Sequence, residues 1–210
     1  MPSITVQIDH GSLDAHEYGG GSTVDVTGNV LNASASNQWV GLVFANAGLA
    51  DLDGATITSA YLELYFTSGS YDDPDATIYG WKNSYNLYFL GTNGELSGSG
   101  PSTTATVNWA ASNLGTGWKQ SPDIKTIIQE IIDVSGWPEP REGWINTSGI
   151  TIFYKGNSGA TGMRVRSYEG NSSQAAKLII NYDVPASGQP AIARARTVPG
   201  MRRPHGSQGW

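Results

Sequence analysis

The sequence of 210 residues contains no cysteine, which excludes a disulfide framework, thiolate nucleophiles and cysteine-ligated metals. It has no run of about 18 apolar residues, so no segment reads as a membrane-spanning helix. The opening MPSITVQIDHG carries neither a basic stretch nor an apolar core and does not read as a signal peptide. Charged residues make up only 14%, against about 25% in an average soluble domain. Gly91-Thr92-Asn93-Gly94 is a turn with no lysine at phosphate-loop spacing. The three histidines offer no triad, and no carboxylate pair lies in a strand-end motif of the kind glycoside hydrolysis uses. The expectation from these absences is a protein that is not an enzyme.

What is there is glycine (27 residues) with Ser, Thr and Asn, the composition of many short strands joined by turns. The strongest segment is 54–66, GATITSAYLELYF. Ala60, Leu62, Leu64 and Phe66 fall on one parity, and Ser59, Tyr61, Glu63 and Tyr65 on the other, as in a strand with one buried face. Residues 4–8, 23–30, 38–44, 76–81, 104–109, 149–155, 163–168 and 177–182 read as further strands, with Gly80 as a candidate bulge. Residues 9–21 and 91–103 read as polar loops. One helix is expected: Ser121 caps it, Pro122 opens it, and Ile124, Ile127, Ile128, Ile131 and Ile132 recur at helical spacing until Gly136 and Pro138. Its apolar face must pack on the sandwich edge. The fold class is therefore all-β: a two-sheet antiparallel sandwich, specifically a jelly roll, with one short helix.

Strand periodicity stops after Asp183, which divides the chain into a sandwich over 1–183 and an extended arm over 184–210. The arm holds Arg194, Arg196, Arg202 and Arg203 and no acid, a charge of +4. With −6 for the whole chain, the body carries −6 − 4 = −10. An acidic body with a basic tail marks an interaction arm. Arg forks suit carboxylates, copies of the same body supply them, and Trp210 can anchor the end in a pocket. Four arginines without lysine or a folded scaffold speak against nucleic acid as the partner.

The order of segments carries a family likeness. Val43-Phe44 precedes GATITSAYLELY, then come Val107-Asn108-Trp109, a Trp118 segment leading to Asp123-Ile124, the strand 150–154, the region from Arg166 to Glu169, and a closing KLIINY. Over roughly residues 4–183 this resembles the DNRLRE-type jelly roll, a carbohydrate-binding-module-like domain of bacterial surface and wall proteins. The resemblance implies a β-sandwich with Trp109 and Trp118 at core positions. The basic residue that this family carries before the Phe strand is absent; Gln38-Trp39-Val40-Gly41 stand there.

Three groups are candidate sites. Trp81, Tyr85 and Tyr88 lie near a loop and are the candidate platform for stacking on a glycan. Asp72, Asp73 and Asp75 gather the hard oxygens that a structural calcium uses, although without EF-hand spacing, and a solvated turn is the competing reading. No cofactor is required. His10, Asp14, His16 and Glu17 lack a standard zinc spacing and read as a polar surface loop. The arm residues Arg194, Arg196, Arg202, Arg203 and Trp210 form the third group, for docking on neighbouring subunits. Together these point to a structural virion protein of a tailed bacteriophage, a decoration, cement or fibre-type subunit that also contacts host surface polysaccharide. The different-class alternative is an extracellular carbohydrate-binding module.

Overall fold

The computed structural model describes residues 1–19, 21–33, 38–67, 72–85, 87–98, 102–138, 148–157 and 162–184. Residues 185–210 lie outside the described residues, and with them Arg194, Arg196, Arg202, Arg203 and Trp210 of the expected arm.

The described strands are β1 (Ser3–Gln7), β2 (Asp14–Glu17), β3 (Val24–Asp25), β4 (Val30–Asn32), β5 (Trp39–Ala45), β6 (Thr56–Phe66), β7 (Asp72–Asp73), β8 (Asp75–Gly80), β9 (Val107–Ala110), β10 (Gly117–Gln120), β11 (Gly149–Gly156), β12 (Gly162–Arg166) and β13 (Lys177–Asp183), with one helix, α1 (Lys125–Ile132). They form an all-β sandwich of two antiparallel sheets. The first runs β1-β13-β6-β12-β4, with β10 added on β6 and β7 on β12; the second runs β3-β2-β5-β11-β8-β9.

The hub is β6, whose alternation is obeyed: Leu62, Leu64 and Phe66 are buried. Ile57 is buried as well, out of phase with Ala60. The register explains it. Asn181 pairs with Ser59 and the next residue, Tyr182, with Ile57, so Thr58 is the extra residue of a β-bulge that resets the parity. Across the interior, Val40, Leu42 and Phe44 of β5 pair with Tyr154, Ile152 and Ile150 of β11, and all six are fully buried. Trp109 meets Phe66 edge-on at 5.8 Å, joining the two sheets.

The second sheet is covered on both faces, so β5 and β11 read as continuous apolar runs rather than alternating ones. Phe153 packs against Phe89 at 6.4 Å, and the Phe89 ring lies directly over Gly41. A Cβ built on Gly41 would sit 2.3 Å from Phe89 Cζ. Gly41→Ala is therefore expected to cost about 1–3 kcal/mol, the usual range for overpacking. Hydrogen exchange should show the loss first at Leu87, whose amide donates to Thr151 Oγ1 at 3.1 Å.

Several expectations need correction. Residues 23–30 are not one strand: β3 joins the second sheet and β4 the first. Gly80 marks no bulge. It clears room for α1, since a Cβ there would meet Ile131 Cδ1 at 2.5 Å. Ser121 does not cap the helix. Its Oγ accepts from Leu62 N at 2.9 Å, and Asp123 Oδ1 accepts from Ala60 N at 3.0 Å. The segment thus prolongs the pairing of β10 along β6 (Ile124 N to Ala60 O, 2.8 Å), and the helix starts later. Ile127, Ile128, Ile131 and Ile132 are buried, and α1 closes the edge between β6 and β8.

Candidate functional site

The outer face of the first sheet is built by the same alternation that buries its inner face. Tyr61, Glu63 and Tyr65 project outward from β6 and are half-buried. Their cross-strand partners are Ile179 and Lys177 on β13, and Gln120 and Trp118 on β10. Opposed residues share a face, so these side chains form one surface. Trp118 stands edge-on to Tyr65 at 5.6 Å and 89°. Lys177 Nζ lies 3.8 Å above the Trp118 ring and 3.2 Å from Glu63 Oε2, so the one acid and the one base paired here cancel. Asn181 Nδ2 donates to Ser59 Oγ at 2.8 Å at the far end of this surface. Ring faces and edges among amide and hydroxyl groups, with charge cancelled, suit an uncharged, extended partner. Trp118, expected in the core, is half-buried on this face instead.

The expected platform is arranged differently. Trp81 is only 8% exposed and belongs to the core, where its ring has no open face for a sugar. Tyr85 and Tyr88 are half-buried, and Tyr88 packs against the core. The structure does not assemble the three into one stacking surface.

The aspartates are likewise engaged within the fold. Asp72 and Asp73 form β7, pairing with Met163 and Gly162. Asp73 Oδ1 accepts from the Asn113 amide. Asp75 Oδ1 accepts from Asn157 Nδ2 at 2.8 Å. Among the described residues no group of three or more His, Asp or Glu is placed to hold a metal ion. The Asp73 and Asp75 carboxylates fasten neighbouring loops to the start of β8, so these residues sit in strands rather than in the solvated turn of the competing reading.

The polar segment after β1 holds what the sequence misplaced. Asp14, His16 and Glu17 are not on a surface loop; they form β2, with exposures of 0%, 1% and 0%. His10 is exposed and caps a short turn, accepting from Ser12 N at 3.2 Å. Glu17 faces the outer cover, accepting from Gly21 N (2.7 Å), Leu96 N (3.0 Å) and Ser97 N (2.9 Å). These bonds tie residues 21 and 96–97 to the sheet. Asp14 and His16 face the other way, into the sandwich. Asp14 Oδ2 accepts from Tyr168 N at 2.8 Å, while Asp14 Oδ1, both His16 ring nitrogens and the Tyr154 hydroxyl are buried without a hydrogen-bond partner among the described residues. Burial pushes the Asp14 carboxyl up to about 7 and the His16 imidazole below its ordinary value. Burial, and then the Asp14 charge, push the Tyr154 hydroxyl well up. The alternating polar residues 14 and 16 were the available signal, disguised because a polar pair fills the inward positions.

No family model matches the chain and no curated protein matches it. A solved chain from Desmodium yellow mottle tymovirus aligns with 12% identity and a TM-score of 0.23 over 89% of this chain and 91% of that one, a similarity too low to bear on fold or function. Among the described residues no helix is long and apolar enough to cross a membrane.

Proposed function

We propose that this chain is a structural subunit of a larger protein assembly, most specifically a virion protein of a tailed bacteriophage of the decoration, cement or fibre type. The observation that carries the reading is the charge split: −10 on residues 1–183 and +4, all arginine, on residues 184–210. The last described strand, β13, ends at Asp183, immediately before the stretch that holds the four arginines and no acid. An arginine arm leaving an acidic sandwich docks on the acidic sandwich of a neighbour. The full-length chain is expected to sediment as a defined oligomer at low salt, and the quadruple variant Arg194→Ser, Arg196→Ser, Arg202→Ser, Arg203→Ser as a monomer. Identical monomers for both chains would remove self-docking as the arm's role.

A second reading, a carbohydrate-binding module, is favoured by the outer face of the first sheet. It agrees with the resemblance to DNRLRE-type domains, but its platform is Tyr61, Tyr65 and Trp118 rather than Trp81, Tyr85 and Tyr88. In native gels containing neutral polysaccharide, the chain is expected to be retarded, and Trp118→Ala to weaken the retardation by roughly tenfold in affinity, in line with the 0.5–1.5 kcal/mol typical of one aromatic contact plus its buried area. Equal mobility with and without polysaccharide would dismiss this reading.

A further inference from the structure

The inward-facing polar corner joins the two sheets at one end of the sandwich. Asp14 pairs with Leu42, and His16 pairs with both Val40 and Asp25. The partners of Leu42 and Val40 on β11 are Ile152 and Tyr154. Asp14, His16 and Tyr154 therefore share the inner face of the second sheet. The turn of residues 167–171 comes from the first sheet, directly after β12. Three bonds fasten it: Tyr168 N to Asp14 Oδ2 (2.8 Å), Ser167 Oγ to Gly28 O (2.6 Å) and Ser167 N to Asn29 O (3.5 Å). Only the first of these reaches across to the second sheet.

Among the described residues only the Tyr168 amide favours an ionised Asp14, and burial outweighs it. Glu169, on the same turn, raises the cost of ionising Asp14. The Glu169 carboxylate lies over Gly11, where a Cβ would come within 1.6 Å of its Oε1; His10 favours its ionised form and Asp25 opposes it. On β3, Asp25 acts on His16. On β2 itself, Glu17 points to the opposite face and is held by its own donors. Tyr154 on β11 is neutral, and burial keeps His16 neutral too. An ionised Asp14 thus has, among the described residues, one amide donor on Oδ2 and none on Oδ1. Water can satisfy the buried Oδ1 only if the elements packed on Asp14 part, and the 167–171 turn is tied to it by the single Tyr168 bond.

We propose that this corner is a pH-operated latch: protonated Asp14 holds the 167–171 turn against β2, and its ionisation releases the turn from that end of the sandwich. Burial places the titration near neutrality, and the sign follows: the closed form takes up the proton, so closure is favoured as pH falls and lost as pH rises through about 7. The end affected is the one where β2, β3 and β4 pass between the sheets. A subunit built this way changes the shape of one end, and any contact made there, across neutral pH.

The test is amide hydrogen exchange of the full chain from pH 6 to 8.5, after division by the intrinsic rate at each pH. Protection of the Tyr168 amide is expected to fall at least tenfold relative to Leu64 and Ile180 in the core. Asp14→Asn keeps an oxygen for Tyr168 N and cannot ionise, so its Tyr168 protection should stay flat with pH. Glu169→Gln should move the wild-type midpoint to lower pH. Tyr168 protection that follows the core at every pH, or a drop that persists in Asp14→Asn, overturns the latch. Should Asp14→Asn fail to fold, the carbon-13 shift of the wild-type Asp14 carboxyl decides: its midpoint must coincide with the exchange transition, and a carboxyl already ionised at pH 5 overturns the proposal.

Discussion

Replacing Asp14 with Asn is expected to raise the free energy of unfolding by about 4 kcal/mol at pH 8, by roughly 1.7 kcal/mol at pH 5, and by almost nothing below about pH 3. The arithmetic rests on a folded-state carboxyl at about 7 against an ordinary value of 3.8. Where the folded pKa lies above the unfolded one, the folded state holds the proton more tightly. Its contribution is complete below pH 3.8 and is lost as the pH climbs through 7. Asn imitates the protonated form at every pH, with Oδ1 accepting from Tyr168 N. His16 works in the opposite sense, its lowered pKa costing stability as pH falls below its ordinary 6.5, but it is present in both chains and cancels from their difference. Urea unfolding midpoints at four pH values between 3.5 and 8.5 check this. A difference that does not widen with pH would mean that Asp14 is not buried as a costly acid.

Gly170→Ala is expected to destabilise the fold by about 3 kcal/mol, at the upper end of overpacking costs. A Cβ on Gly170 would lie 2.0 Å from the backbone oxygen of Asn29 and 2.7 Å from Arg166 Cδ. A side-chain obstacle can rotate away, as Arg166 can; a carbonyl in the 28–29 segment can move only with its chain. That segment is the crossing between β3 and β4, and its Gly28 and Asn29 oxygens receive the Ser167 bonds. The methyl therefore pushes apart the link that Ser167 makes. The measurement is thermal unfolding of Gly170→Ala beside Gly115→Ala; the latter glycine has φ +70 and no atom within 4 Å of a built Cβ. The two separate a steric cost from a conformational one, and a smaller loss at Gly170 than at Gly115 would contradict the close approach.

The all-β class was legible because β13, and β6 from Ala60 onward, alternate cleanly, with one face against the core and one toward solvent. The helix register was legible for the same reason, since Ile127, Ile128, Ile131 and Ile132 can only be one face. Its start was not. Ser121 is a good capping residue, but the Leu62 amide on β6 claims its side chain, and Asp123 Oδ1 serves both sides, accepting from Ala60 N on β6 and from Lys125 N at the helix start (2.9 Å). Likewise β2 was hidden because residues 14 and 16, the inward positions, are acid and imidazole. A reading from hydropathy alone assigns such residues to water. Aromatic placement failed for a related reason. Proximity to a loop favoured Trp81, yet covering by residues 87–98 decides exposure on that sheet, whereas the outer face of the first sheet, with Tyr61, Tyr65 and Trp118, faces solvent in the described residues.

The position of β13 also governs how the molecule can be made. It lies between β1 and β6, and Ser3 pairs with Asn181, so the first sheet is completed by joining residues from opposite ends of the sequence. During synthesis, β6 emerges with β13 still untranslated, and β1 has no described partner until β13 leaves the ribosome. Contacts so distant in sequence make for slow folding. They also leave an apolar strand edge open while the chain is incomplete, an invitation to pair with a neighbouring nascent chain. Yield in a heterologous host should then depend on synthesis rate and temperature more steeply than on the stability of the finished sandwich.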